Sequence, residues 1–396
     1  MIKPIERRKI LILITHYLPG NKIGGPLNSI LNIVKNLSQN YDFYIITSDR
    51  DLGDNESYRN IISDTWVCLE GSQVMYLNTG LIFYYNIYKH FKENAYDCVY
   101  LNSLFAFRYS IFIIFLTYFK LIKIDEIILA PRGELFKEAM SFNKYKKKCF
   151  LKIINFLGVY KDVIWHSTAN IETVSIKDNV NKPTIRLANV LADTSCALTE
   201  IPDIEFNLFD RDHLKVIFIS RISKEKNLIY ALEVLKRVSC FVEFHIYGPI
   251  EDKNIWNECV ALIELMPINI SVSYKGILER KFVKSYFSKY ELFLFPTHLE
   301  NYGHVINESL SVGTPVLLSC NTPWRDLEVK GLGWDFNLDD KECFINTIDK
   351  FAKKTINEKL FFRSQVLKSY SMQINSSNFV EENIDLFKNF SKYKCF

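Results

Sequence analysis

Glycine is scarce in this chain, at 14 of 396 residues, about half the usual share of roughly 7%. A glycine cluster therefore carries more meaning here than in an average protein. The nine cysteines are scattered without one C-x2-C pair, which excludes a zinc ribbon or a dithiol redox centre and suits a reducing compartment. No apolar stretch approaches the roughly 20 residues of a spanning helix. The longest, Tyr109 to Phe119, lies between Arg108 and Lys120 and reads as a buried core helix. The start, Met1 to Lys9, is charged and runs straight into an apolar strand with no signal-peptide core, so a cytoplasmic location is expected. Charge of one sign is missing too: 49 Lys and Arg against 45 Asp and Glu leave +4, no footprint for a nucleic acid. The dinucleotide fingerprint G-x-G-x-x-G, the P-loop and H-E-x-x-H are all absent, which argues against dehydrogenase, NTPase and metalloprotease readings.

What is present is a repeated alternation. Short apolar runs at Ile10 to Ile14, Phe43 to Thr47, Asp97 to Leu101, Glu126 to Ala130 and Asp162 to His166 predict strands of a parallel sheet covered on both faces. Segments of helical period separate them, the first marked by Leu27, Ile30, Leu31, Val34 and Leu37. A second series follows at Lys215 to Ser220, Val242 to Tyr247, Ile270 to Tyr274, Leu292 to Phe295 and Pro315 to Ser319. The predicted class is α/β, two doubly wound Rossmann-like parallel-sheet domains facing a cleft, with ligands at the carboxyl ends of the strands. The boundaries read as a first domain over 1–192, a linker over 193–212 that carries Pro202 and several acids, a second domain over 213–375, and a terminal helix over 376–396 that can return to the first domain.

Three loops concentrate the chemistry. Gly24 and Gly25 follow the first strand and open a helix, where residues without side chains let backbone N–H groups approach an anion. An ordinary strand-to-helix turn would look alike. After the second domain's first strand come Arg221 and Lys226, a guanidinium and an ammonium able to neutralise a diphosphate without a metal; a solvated basic turn shares that pattern. The most informative segment is Phe295 to Glu308, in which Glu300 ends a loop, Gly303 opens a helix, and Glu308 lies about a turn and a half inside it. Both carboxylates can then face one ligand, with the helix-start amides of Tyr302 to Val305 meeting an anion.

Glu300-x7-Glu308, preceded by Arg221-x4-Lys226 and by Gly24-Gly25, resembles the retaining glycosyltransferases of family four (glycosyl transferases group 1), of the bacterial surface-polysaccharide type and the two-domain B-type fold (GT-B architecture). Tyr247-Gly248-Pro249, Tyr274-Lys275-Gly276, Thr322-Pro323-Trp324 and Pro131-Arg132-Gly133 extend the resemblance over nearly the whole chain. The resemblance implies a hexosyltransferase whose nucleoside-diphosphate sugar, a UDP-sugar by preference, is held mainly by the C-terminal domain. Its acceptor would be a growing, lipid-linked O-antigen or capsule glycan held mainly by the N-terminal domain, and no cofactor or metal is implied. Carried over, it places Arg221 and Lys226 on the diphosphate, Glu300 on the transferred sugar's hydroxyls and Glu308 on the ribose. The amides of Tyr302, Gly303, His304 and Val305, with Gly24, Gly25 and Gly248, complete the donor side. Arg132 and His166 fall on the acceptor side. Many relatives carry a histidine after the strand matching Asp97 to Leu101; here Tyr100 and Asn102 stand nearest, and Asn102 is the candidate to hydrogen-bond a reacting oxygen.

Two rival readings remain at this level: a non-hydrolysing sugar-nucleotide epimerase, which would turn over donor without acceptor, and a catalytically idle sugar-nucleotide-binding protein. Two Asp-Arg-Asp triplets, Asp49 to Asp51 and Asp210 to Asp212, imitate a metal-binding Asp-x-Asp, but the first lies in the wrong domain and the second in the linker. Lys144 to Lys152 is basic and aromatic on an expected helix; it fits a solvated face or a peripheral contact with an anionic inner membrane, and the resemblance favours the membrane.

Overall fold

A computed structural model describes residues 7–20, 24–141, 143–191 and 213–388. They divide into two compact units: the first runs to Leu191 and takes in the segment from Asn378, and the second runs to Ser377. The expected linker, 193–212, lies outside the described residues, and with it the Asp210 to Asp212 triplet.

The first unit is built on β1 (Arg8–Leu13), β2 (Tyr41–Ser48), β3 (Trp66–Leu69), β4 (Ser72–Leu77), β5 (Cys98–Asn102), β6 (Ile127–Ala130), β7 (Val163–Ser167) and β8 (Thr184–Leu187). Their spatial order is β3-β4-β2-β1-β5-β6-β7-β8. All neighbours pair in parallel except β3 with β4, an antiparallel edge hairpin. The strand β1 shows why the sequence reads as a continuous apolar run: Ile10 and Ile12 join the core on one face, Leu11 and Leu13 the core on the other. Helix Gly25–Leu37 lays Leu27, Ile30, Leu31, Val34 and Leu37 against the first of those cores. The run from Tyr109 packs Tyr109, Ile113, Ile114 and Leu116 inward, beginning as a π-helix (Phe107–Ile111) and continuing as an α-helix (Phe112–Tyr118).

Helix Phe379–Phe387 packs on this unit, not on the unit that precedes it in sequence. Phe387 sets its ring edge-on to Tyr41, Phe43 and Tyr100, at centroid distances of 5.7, 6.1 and 5.4 Å. The Tyr41 hydroxyl donates to the Ile384 carbonyl (2.7 Å) and Arg186 to that of Leu386 (2.6 Å).

The second unit holds β9 (Leu214–Ile219), β10 (Val242–Tyr247), β11 (Ile270–Tyr274), β12 (Leu292–Phe295), β13 (Val316–Ser319) and β14 (Gly333–Phe336) in the order β11-β10-β9-β12-β13-β14. Every pair is parallel. Strand order reverses between β9 and β12, and in the first unit between β1 and β5. In a doubly wound sheet the crevice outside the carboxyl ends of the strands at that reversal is where ligands bind. Of the strands absent from the sequence reading, β3, β8 and β14 lie at the sheet edges, where burial is partial and the apolar signal weak, whereas β4, next to the edge, is buried.

Candidate functional site

In the second unit the two loops leaving the switch-point strands are stitched together. The loop after β9 turns through a single 3-10 turn, Lys224–Lys226, and the one after β12 runs Pro296 to Gly303. The Glu225 carbonyl accepts from the His298 amide and the Thr297 hydroxyl, both at 2.8 Å, and the Asn227 side-chain amide donates to the Pro296 carbonyl at 2.9 Å. A third loop, after β13, supports the second: the Glu300 amide donates to the Asn321 carbonyl (3.2 Å) and the Trp324 indole to the Tyr302 carbonyl (2.6 Å).

This stitching brings two of the predicted residues into contact, Lys226 Nζ lying 2.8 Å from Glu300 Oε2 with side chains 14% and 16% exposed. The ammonium also sits over the Phe295 ring at 5.6 Å. Arg221 is held differently: Nη1 meets both oxygens of Glu251, at 2.8 and 2.6 Å, on side chains about half exposed. An exposed pair of that kind is worth at most about 1 kcal/mol, so Arg221 can exchange Glu251 for another anion at little cost. Burial pushes the Glu225 carboxyl upward, yet it is held below its ordinary value by its own backbone amide, by Ser223 and by Arg221 and Lys226.

Gly248 shapes the floor. Its φ is 138°, and a Cβ there would lie 1.9 Å from the Ser220 carbonyl oxygen, so only glycine lets the turn after β10 pass under the loop that carries Arg221. Ser220 and Ile222 amides donate to the Tyr247 and Pro249 carbonyls at 3.0 and 2.9 Å. Gly303, with φ 80°, caps helix His304–Leu310, and a Cβ on it would strike Ile306 at 2.6 Å. The Ile306 amide of that helix's first turn donates to the Gly303 carbonyl at 2.9 Å. Tyr302 rests its ring edge-on to His304 (4.9 Å), burial raising its hydroxyl pKa. Val305 packs on the core, and Glu308 lies in the helix, half-buried.

The first unit places its candidates at the ends of β5, β6 and β7. Arg132, in the left-handed region at φ 53°, donates to Asn102 Oδ1 (Nε at 3.2 Å, Nη2 at 3.1 Å) and to the Tyr100 hydroxyl (2.9 Å). Tyr100 passes its proton toward His166 Nδ1 at 2.7 Å, and His166 Nε2–H donates to the Ala188 carbonyl at 2.9 Å. Here a sequence expectation is corrected. His166 was expected to face the acceptor, but it is 1% exposed with both ring nitrogens engaged, and burial, with Arg132 nearby, pushes its pKa down to about 3. It is a neutral ring that positions Tyr100 and, through it, Arg132. Asn102 keeps its expected place at the end of β5, with its oxygen committed to Arg132 and its amide nitrogen buried without a partner.

Gly24 precedes helix Gly25–Leu37 at φ −90°, and a Cβ on it would meet nothing within 4 Å; the fold does not demand glycine there, and the space beside it is open. Asp49 spends its carboxylate on Arg50 (2.8 Å), so the first Asp-Arg-Asp triplet closes on its own arginine. Sequence reasoning missed Glu251, which acts across the chain with no local spacing to mark it, and gave no role to the Trp324 indole although it quoted Thr322-Pro323-Trp324.

Two doubly wound units, each with its polar loops at the switch point, define the B-type two-domain glycosyltransferase architecture. The same fold occurs in sucrose-phosphate synthase from Thermosynechococcus elongatus (TM-score 0.71, 12% identity, 96% of this chain and 98% of that one). It recurs in Anabaena HepE in complex with UDP-glucose (0.71, 13%, 97% and 99%), and in WaaG, a glycosyltransferase involved in lipopolysaccharide biosynthesis (0.66, 11%, 96% and 100%). Residues 201–360 match the model of glycosyl transferases group 1. A relative from Klebsiella pneumoniae, described as an uncharacterized 41.2 kDa protein in the cps region, is 24% identical over 77% of this chain and 82% of its own length.

Proposed function

We propose that the protein is a retaining glycosyltransferase of surface-polysaccharide biosynthesis, moving a hexose from a UDP-sugar to a growing, lipid-linked O-antigen or capsule glycan. The observation that carries this is the 2.8 Å contact of Lys226 with Glu300 at the second sheet's switch point. It joins a cation for a leaving diphosphate to an acceptor for sugar hydroxyls. A UDP-glucose complex of HepE, the lipopolysaccharide role of WaaG and the cps-region relative support the donor and the pathway.

In this reading Arg221 and Lys226 take the charge that builds on the diphosphate as the anomeric bond breaks, helped by the amides of Tyr302 to Val305 at the positive end of helix His304–Leu310. These groups replace a divalent cation, and the reaction proceeds without one. Glu300 holds sugar hydroxyls and Glu308 the ribose. With no side chain assigned as nucleophile, the acceptor hydroxyl attacks from the face the diphosphate leaves, which retains configuration.

No helix among the described residues is long and apolar enough to cross a membrane. Helix Lys144–Leu157 instead exposes Tyr145 and Phe156, 88% and 89% accessible, among the exposed Lys144, Lys146, Lys148 and Lys152. Each lysine near an anionic leaflet contributes about 1 kcal/mol, which suits a peripheral enzyme meeting a lipid-linked acceptor at the cytoplasmic face.

The deciding experiment screens nucleotide sugars by thermal shift, then assays transfer with the stabilising donor in the presence of chelator. A true donor at 100 times its dissociation constant adds about 2.7 kcal/mol. If no nucleotide sugar stabilises the protein, the reading fails. Activity lost in chelator and restored by magnesium or manganese would overturn its metal-free part.

A further inference from the structure

The first unit contains a pocket of about 380 Å³ lined by none of the residues assigned above to donor or acceptor, within the range of small-molecule sites. It opens at that sheet's switch point: Thr15 and His16 follow β1, Ser48 ends β2, and Phe107, Arg108 and Tyr109 follow β5. Resting on the glycosyltransferase reading, we propose that this pocket is the acceptor subsite and takes a hexopyranose bearing a negatively charged substituent, a carboxylate or a phosphate, at Arg108.

Four observations converge. The walls are aromatic, with Tyr84 and Phe107 set edge-on at 6.3 Å and Tyr109 beside them; the electron-rich faces of such rings attract the polarised C–H groups of a pyranose. The backbone that delivers Phe107 to Tyr109 is a π-helix, the Ile111 amide reaching back five residues to the Ala106 carbonyl at 3.2 Å, and π-turns concentrate at functional sites. The lining also carries hydroxyls, those of Thr15, Ser48 and Thr79, with Tyr109, only 4% exposed, turning its own toward Ser48; such groups both donate to and accept from sugar hydroxyls.

Charge gives the substituent. Among the described residues Arg108 forms no hydrogen bond or ion pair, and no carboxylate lines the pocket. Asp49, which follows the lining residue Ser48, is 2% exposed and paired with Arg50. His16 donates through Nδ1 to the Arg50 carbonyl at 3.0 Å, which leaves Nε2 to meet a sugar hydroxyl. A neutral sugar would leave the guanidinium without a partner.

The test is saturation-transfer-difference NMR on the full chain with UDP present, using methyl glucuronide, glucose 6-phosphate and methyl glucoside as probes. The charged sugars are expected to bind and the neutral one to bind about tenfold more weakly, a difference typical of one charge-assisted contact. Whichever charged probe binds tighter identifies the substituent. Arg108→Gln should bring both charged probes down to the neutral level, and Phe107→Ala should remove the signal of all three. Equal signals for charged and neutral probes, no signal at tens of millimolar, or indifference to Arg108→Gln and Phe107→Ala would overturn the proposal. UDP stabilisation of the same samples separates the cases: if it persists, only the subsite is wrong; if it is also absent, the glycosyltransferase reading falls.

Discussion

The two cations of the donor loop hold their partners in unlike ways, and the difference separates function from stability. Arg221 grips Glu251 in the open, so Arg221→Ala should leave the fold within about 0.5 kcal/mol of wild type while transfer collapses, because the lost charge matters most when the diphosphate departs. The glutamates should divide the kinetics. Glu300, paired with Lys226 and assigned to the reacting sugar, belongs to interactions that sharpen as the ring flattens, so Glu300→Gln should mainly lower kcat. Glu308, half-buried in the helix and assigned to the ribose, would hold ground and transition states alike; Glu308→Gln should mainly raise donor KM, by about 1.5 to 3 kcal/mol. Steady-state kinetics with the identified donor decide this, and two silent substitutions would remove the motif's meaning.

His166 makes a pH prediction at the same scale. Its pKa falls from 6.5 to about 3 on folding, so below pH 6.5 the unfolded chain binds a proton that the folded one refuses. The stability it contributes is complete above 6.5 and is lost toward pH 3, by about 1.4 kcal/mol per unit. His90 and His245, also lowered by burial, act in the same direction. Urea melts at pH 7 and pH 5 should show wild type losing about 2 kcal/mol more than His166→Gln; equal losses would mean that the ring is protonated in place.

At the scale of elements, the site is a product of turns, and its legibility follows from how local each turn is. Glu300 and Glu308 were readable because one loop and one helix carry both, and Gly303 because its left-handed φ of 80° stands at the helix start where sequence placed it. His166 was misplaced because its burial depends on β8, a short and half-exposed edge strand with little apolar signal, whose following residue supplies the Ala188 carbonyl. The clasp of Arg221 by Glu251 spans two loops and left no spacing to find. Gly24 and Gly248 look equivalent in sequence, yet the structure ranks them. Gly24→Ala meets open space and should cost little stability, whereas Gly248→Ala drives a methyl group into the Ser220 carbonyl in a conformation unfavourable to any side chain. The cost should be about 3 kcal/mol or more, read as a lowered denaturation midpoint, with donor binding weakened because the Arg221 loop must move. A stable Gly248→Ala protein would show that the turn yields.

For the whole molecule, sequence order and spatial order part company at the end of the chain. The alternation of strands and helices announced two doubly wound units because parallel strands buried on both faces cannot hide their apolar runs. The sequence allowed the terminal helix to return to the first domain, but what holds helix Phe379–Phe387 there is side chains hundreds of positions away. Phe387 and Leu386 are 0% and 1% exposed, closing one face of the first sheet beside Tyr41, Phe43 and Tyr100, while the donor loops belong to the other unit. Removing the Phe387 ring leaves a cavity among three aromatic neighbours and should cost about 3 to 5 kcal/mol. The loss should fall on the first unit alone. In Phe387→Ala, calorimetry should show a lowered transition for the unit carrying the pocket of Tyr84, Phe107 and Arg108, while the stabilisation given by UDP persists because Arg221, Lys226 and Glu300 are untouched. An unchanged melting profile would mean that the terminal helix is an ornament; loss of UDP binding together with stability would mean that the two units fold as one.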